Sequence, residues 1–175
     1  MKILATLSLA FVASAAFAGQ PVMDSSKKGP IPLEPCFQDK ELQLDIFASY
    51  VWANGKYDDG IGGGLGVNYY FSRNIGLGVD AQLTDADNDS ALWQFTGNIL
   101  VRFPIENNGT CFAPYLKFGG GYQMDGSGDF IYGGGAGIEF RVTPRLGIFG
   151  EGGYYWAESD NNFAQARVGV RLVFW

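Results

Sequence analysis

The chain has no histidine among its 175 residues. Histidine is the side chain that most often serves as a general base near neutral pH, so chemistry of that kind has no base to work with. Beyond the first 18 residues, no uninterrupted apolar run reaches the length of about 18 that a membrane-crossing helix needs. Basic residues are in the minority: 12 Lys and Arg against 18 Asp and Glu leave a formal charge of −6. There is no basic patch to neutralise phosphates, which argues against a nucleic-acid partner. Cysteine is limited to Cys36 and Cys111, so at most one internal disulfide can form.

What is abundant points to strands and turns. The chain has 14 Phe, 9 Tyr, 4 Trp and 26 Gly, with few helix formers in runs. The amino terminus reads as a secretory signal, residues 1–18. Lys2 supplies the positive start, Ile3 to Phe17 a short apolar stretch, and Ala16-Phe17-Ala18 a small-residue cleavage site. The mature chain is then expected to begin at Gly19. Residues 19–40 read as a linker, since Pro21, Pro30, Pro32 and Pro35 interrupt regular structure. Exported chains meet oxidising conditions, so Cys36 and Cys111 are candidates for one disulfide, with two free thiols as the other reading.

From Glu41 onward the chain alternates between apolar and polar residues, in segments separated by turn residues. A period of two marks a strand. Eight segments are expected: Glu41 to Trp52, Ile61 to Phe71, Ile75 to Leu83, Leu92 to Phe103, Phe112 to Gln123, Phe130 to Val142, Leu146 to Trp156 and Phe163 to Trp175. There is also an internal repeat. The stretch from Gly62 aligns without a gap to that from Gly133, a shift of 71 positions (133 minus 62), and continues to Phe103 and Phe174. Asp80 then matches Glu151, and Gln94 matches Gln165, which suggests a four-strand unit used twice.

Alternation alone fits a soluble sandwich as well as a membrane barrel, and three features favour the barrel. The apolar faces carry almost no charge, while the opposite faces collect Asp45, Asp80, Arg102, Lys117, Glu139, Arg141, Glu151, Arg167 and Arg171. Aromatic residues cluster at the strand ends, Tyr50, Trp52, Trp93 and Trp156 among them at one end and Tyr69, Phe103 and Phe174 at the other, as girdles at two membrane interfaces do. Connections alternate between short and longer, as in outer-membrane barrels. Strands of about eleven residues, rising about 3.3 Å each and tilted about 40°, span roughly 27 Å, close to the apolar band. The lumenal charges are then either a salt-bridged plug or the lining of a narrow polar pore.

These residues resemble the small outer-membrane β-barrel family, the outer-membrane protein A/X-like barrels of the porin superfamily. The resemblance covers Glu41 to Trp175. Its most specific motif is the last strand, where Arg167-x-Gly169-x-x-Leu172-x-Phe174 resembles the β-signal read by the barrel assembly machinery; Trp175 stands one residue beyond it. The resemblance implies an all-β fold, an eight-stranded antiparallel up-and-down transmembrane β-barrel over 41–175, reached by export through the periplasm. Residues 19–40 become a periplasmic segment, and Cys36 and Cys111 both fall at the periplasmic mouth. The implied partners are outer-membrane lipid and lipopolysaccharide, together with the assembly machinery during biogenesis, and the barrel is expected to be a monomer. The implied role is structural or surface-interacting in the cell envelope.

No cofactor is expected. Asp85, Asp87 and Asp89 are spaced like the start of a calcium loop, but Ser90 and Thr96 stand where that loop needs Gly and Glu, so a specific metal site is not expected. The acidic outer loops would bridge cations loosely at most. The barrel enzymes of this class generally rely on a histidine, so no catalytic residue is assigned; the acidic pair Asp58-Asp59 lies in a short loop. A low-conductance pore and a soluble barrel holding an apolar ligand are the competing readings. The β-signal makes a first prediction. Phe174→Ala should lower the amount of assembled barrel in the outer membrane, measured by surface labelling, while the molecules that do fold keep their normal thermal stability.

Overall fold

The computed structural model describes residues 35–54, 59–85, 91–107, 110–124, 128–158 and 162–175. The chain divides into a unit Met1–Leu33 and a unit Glu34–Trp175, and all described residues belong to the second. The expected signal, most of the 19–40 segment, Asp58, Asp87 and Asp89 lie outside the described residues.

Nine strands follow one another: β1 (Glu41–Asn54), β2 (Gly60–Tyr70), β3 (Ile75–Asp85), β4 (Ala91–Arg102), β5 (Ile105–Asn107), β6 (Thr110–Met124), β7 (Gly128–Thr143), β8 (Leu146–Ala157) and β9 (Asn162–Phe174). Eight of them form the wall of a closed antiparallel barrel. Each pairs with its sequence neighbour, β4 pairs with β6, and β1 pairs with β9 to complete the ring. Closure leaves no unpaired sheet edge in the wall. The inner end is the one where Leu42 of β1 faces Phe174 of β9, and the outer end is where Asn54 faces Asn162.

The ninth strand corrects the expectation of a plain turn over 104–110. Pro104, which lacks an N–H, interrupts β4. Ile105, Glu106 and Asn107 then pair with Phe112, Cys111 and Thr110. The hairpin between β4 and β6 is thereby extended beyond the wall at the inner end.

The face assignment follows the pleat. Leu65, Val79, Ile99, Phe118, Tyr132 and Val170 point outward and are well exposed, so the outer wall is an unbroken apolar surface. The polar members of each alternation are buried inside. Only a hydrocarbon surround makes that inversion favourable.

The repeat extends to the pairing. Gly66 faces Asp80 and Asp80 faces Thr96 in the first unit. Their counterparts 71 residues on, Gly137 with Glu151 and Glu151 with Arg167, pair in the same register. The matched glycines also do the same work. A Cβ on Gly66 would fall 2.5 Å from Asp80 Oδ1, and one on Gly137 would fall 2.5 Å from the Tyr115 ring and 2.8 Å from the Glu151 Cβ. Both positions are held to hydrogen by an inward side chain lying against the wall, the Asp80 carboxylate at one and the Tyr115 ring at the other.

The outward face makes a second prediction. Val79 is 61 % exposed near the middle of β3. Val79→Arg should destabilise the barrel by about 2–4 kcal/mol in a bilayer, read by denaturant unfolding in lipid vesicles.

Candidate functional site: the charged lumen and its two ends

Inward-facing residues fill the lumen in layers. The innermost ion-paired layer holds three acids and three bases in an unbroken chain. Arg102 meets both Glu41 oxygens, at 2.9 and 3.1 Å. Arg141 also reaches Glu41, and its Nε lies 2.5 Å from Glu139 Oε1 as an ion contact rather than an aligned hydrogen bond. Arg171 joins Glu139 at 2.5 Å to Asp45, which it grips with two parallel bonds of 2.7 Å. A paired fork of this kind is the strongest geometry available to a guanidinium and a carboxylate.

A second layer lies further out and holds two acids and two bases. Lys117 is 2.5 Å from Asp80 and 3.5 Å from Glu151. Arg167 lies 3.1 Å from the same Asp80 oxygen and also pairs with Glu151. Neutral donors complete the acids: Asn68 to Asp45 at 2.8 Å, Asn98 to Asp80 at 3.1 Å and Tyr115 to Glu151 at 2.7 Å. Each layer is neutral by itself, which is what a site with little water requires of buried charge. Aromatic faces supply further contact. The Arg102 guanidinium lies 3.8 Å from the Tyr70 ring centre, and Arg167 and Arg171 each lie 4.7 Å from a ring, Phe47 and Phe149 respectively.

The two ends are filled differently. At the inner end residues 35–40 fold across the mouth. Cys36 and Cys111 are joined in a disulfide with Cα atoms 6.2 Å apart, which turns the sequence-level candidate pair into an observed bond. The adjacent Phe37 is fully buried, with the Arg102 and Arg141 guanidiniums 5.0 and 4.8 Å from its ring. The Arg102 Nη2 donates to the Gln38 carbonyl, and the Arg73 N–H donates to Asp39. Lys40 then takes a left-handed conformation, φ 59°, to turn the chain up into β1. At the outer end Val51, Ile131, Tyr155, Ala157 and Phe163 pack into an apolar cluster inside the barrel.

The structure brings all nine lumenal charges named from the sequence into these two layers. It adds a tenth, Glu41, which is wholly buried and holds two arginines. The two layers therefore carry five acids and five bases, where the charges read from the sequence were four and five. The missed signal was parity, since Glu41 stands two residues before Gln43 and four before Asp45, both inward. Phe37, Val51, Ile131 and Phe163 also face inward, where polarity does not sort them, although alternation does place Tyr115 and Phe149 with the inward charges. Of the assembly-signal residues, Arg167 belongs to the second layer, Gly169 lies on the inner wall against Phe47, and Phe174 is exposed on the outer wall. Trp175, which alternation did not explain, lies 5.9 Å from the Arg145 guanidinium at the inner rim. Of the calcium-loop candidates only Asp85 is described, at the end of β3.

Comparison with known proteins agrees with this architecture. The sequence profile of the outer membrane protein beta-barrel domain family matches residues 4–174. No curated protein sequence matches the chain. Among solved structures, the N-terminal barrel domain of Pseudomonas aeruginosa OprF is similar with a TM-score of 0.61 at 14 % identity, over 78 % of this chain and 99 % of that one. Neisserial surface protein A gives 0.60 at 15 % identity, over 75 % and 95 %. A de novo designed transmembrane β-barrel gives 0.59 at 21 % identity, over 78 % and 98 %. At these identities the likeness is one of fold.

The inner layer makes a third prediction. Glu41→Ala takes the carboxylate from the buried Arg102 and leaves Arg141 with Glu139 alone, and should cost about 3–5 kcal/mol in unfolding experiments. Glu106→Ala, which removes the half-exposed partner of Arg73, should cost about 1 kcal/mol or less.

Proposed function

The chain belongs to the outer membrane protein beta-barrel domain family, and from that premise we propose that it is a non-catalytic barrel with a structural and surface-interacting role in the cell envelope, its lumen plugged rather than conducting. The observation that carries this reading is the filling of the lumen. Two neutral ion-paired layers stand between a disulfide-tied cap at one end and an apolar cluster at the other. A lumenal cavity beside the second layer, lined by Asp80, Gln82, Gln94, Gln165 and Arg167 among others, has a volume of about 10 Å³. That is room for about one water molecule, and a hydrated ion needs several.

The non-catalytic reading draws on the absence of histidine in the sequence and on the lumenal carboxylates, each engaged by at least one cation. On this reading the leader is removed after Ala18. The barrel assembly machinery inserts the chain by way of the β9 signal. The apolar wall then contacts outer-membrane lipid, with lipopolysaccharide on the outer side, as a monomer.

Conductance tests the reading directly. The purified barrel in planar bilayers should give no reproducible single-channel steps above the lipid baseline. Regular steps of uniform size would replace the plug with the low-conductance pore.

A further inference from the structure

Lys117 is the one amine among the ten charges of the two ion-paired layers. That sets it apart chemically. A guanidinium keeps its proton in proteins, whereas a buried lysine can release one and become a nucleophile. Lys117 stands between Asp80 and Glu151, the two acids that are counterparts in the repeat. Its Nζ lies 2.5 Å from Asp80 Oδ2. An amine so placed is about 3–3.5 Å from the carboxyl carbon, the separation of a near-attack arrangement. Asp χ2 is a soft torsion, so the carboxyl group can turn its face to the amine. Asp80 Oδ2 also accepts from Arg167 Nη1 and from Asn98 Nδ2, each at 3.1 Å. Glu151 Oε1 lies 3.5 Å from the same Nζ, and the Tyr115 hydroxyl donates to its other oxygen at 2.7 Å. Lys117, Asp80 and Asn98 are all buried. A nucleophile, an electrophilic carbon, donors on a departing oxygen and a proton carrier thus meet in one place.

We propose that Lys117 and Asp80 condense, once the barrel has folded, into an isopeptide bond between Lys117 Nζ and Asp80 Cγ. One ammonium proton passes to Asp80 Oδ2 across their contact, leaving an amine and a carboxylic acid. The Nζ lone pair attacks Cγ, a C–N bond forms, and the carbonyl electron pair moves onto Oδ1. Glu151 takes a second proton from Nζ and hands it to Oδ2. The carbonyl re-forms, the C–Oδ2 bond breaks, and Oδ2 leaves as water with both protons. Nothing is oxidised or reduced, and no co-reactant is needed. Arg167 and Asn98, already donating to Oδ2, favour charge on the departing oxygen. The product suits the lumen. Lys117 and Asp80 lose their charges together, while Glu151 and Arg167 remain as a pair. The layer stays neutral, with one buried ion pair fewer to hold away from water. The bond ties β3 to β6 across the lumen. It forms once per chain, so it is a modification and not turnover, and it stands whether or not the lumen conducts.

The test is the intact mass of the full mature chain, compared at one cysteine oxidation state throughout. Denatured chain that has never folded should have the mass of its sequence. The same chain folded into detergent micelles should become one water lighter. Tandem mass spectrometry of a digest should then yield a branched peptide joining the segment with Asp80 to the segment with Lys117. Lys117→Arg, which keeps the charge and removes the amine, should retain its full mass on folding. Glu151→Gln, which leaves both reacting groups in place, should slow the loss of water about a hundredfold. Asp-Gly pairs also lose water, as cyclic imides, and the chain has two, Asp59-Gly60 and Asp125-Gly126. A full mass in the folded wild type, a water loss that persists in Lys117→Arg, or one that maps to an Asp-Gly pair or to Glu151 would overturn the proposal. If neither variant folds, the wild-type mass and the branched peptide still decide it.

Discussion

Eight strands closed on themselves enclose a narrow cylinder that side chains largely fill, and every inward residue answers to that volume. Charge is the hardest cargo for such a space. A carboxylate or guanidinium there has little water to turn to, so it is tolerable only beside its opposite and with its remaining hydrogen-bonding positions filled. The arrangement meets that demand locally, three acids with three bases and then two with two. The glycines at Gly66 and Gly137 are part of the same solution, because they leave the wall bare where the Asp80 carboxylate and the Tyr115 ring lie against it.

The two ends are handled by different chemistry, and the difference follows from their surroundings. The inner end uses a covalent tie, a buried phenyl ring between two guanidiniums, and hydrogen bonds from the wall to the cap backbone. The outer end uses apolar packing drawn from four wall strands, with Val51, Ile131, Tyr155 and Phe163 meeting inside the barrel. The ion-paired layers and the apolar cluster share no side chain.

Much of this was legible in the sequence, because the strand period is simple. Alternation placed the eight wall strands and sorted nine charges to the inside. The partners of Arg167 and Arg171 were legible as a set, Asp45, Asp80, Glu139 and Glu151, and each arginine pairs within it; which acid goes to which arginine depends on how far each strand is staggered against the next, and alternation carries no such information. Glu41 was missed because it was read as the start of a strand rather than by its parity with Gln43. Phe37, Val51, Ile131 and Phe163 were not sorted inward for a physical reason. A barrel interior is polar only where it is wet or ionic, and near its ends apolar side chains serve as well. The short β5 was hidden by Pro104, which ends one strand without preventing the next.

The shared register of the two repeats has a consequence for where the barrel begins and ends. β1 closes the ring against β9, and β6 continues it against β4. Under the repeat these two seams are equivalents, each joining the last strand of one unit to the first strand of the other. The disulfide, with one cysteine just before β1 and the other at the start of β6, ties the heads of the two units together at the inner rim. The two seams differ at the inner rim, where β4 runs on through β5 into β6 while β9 and β1 meet by pairing alone.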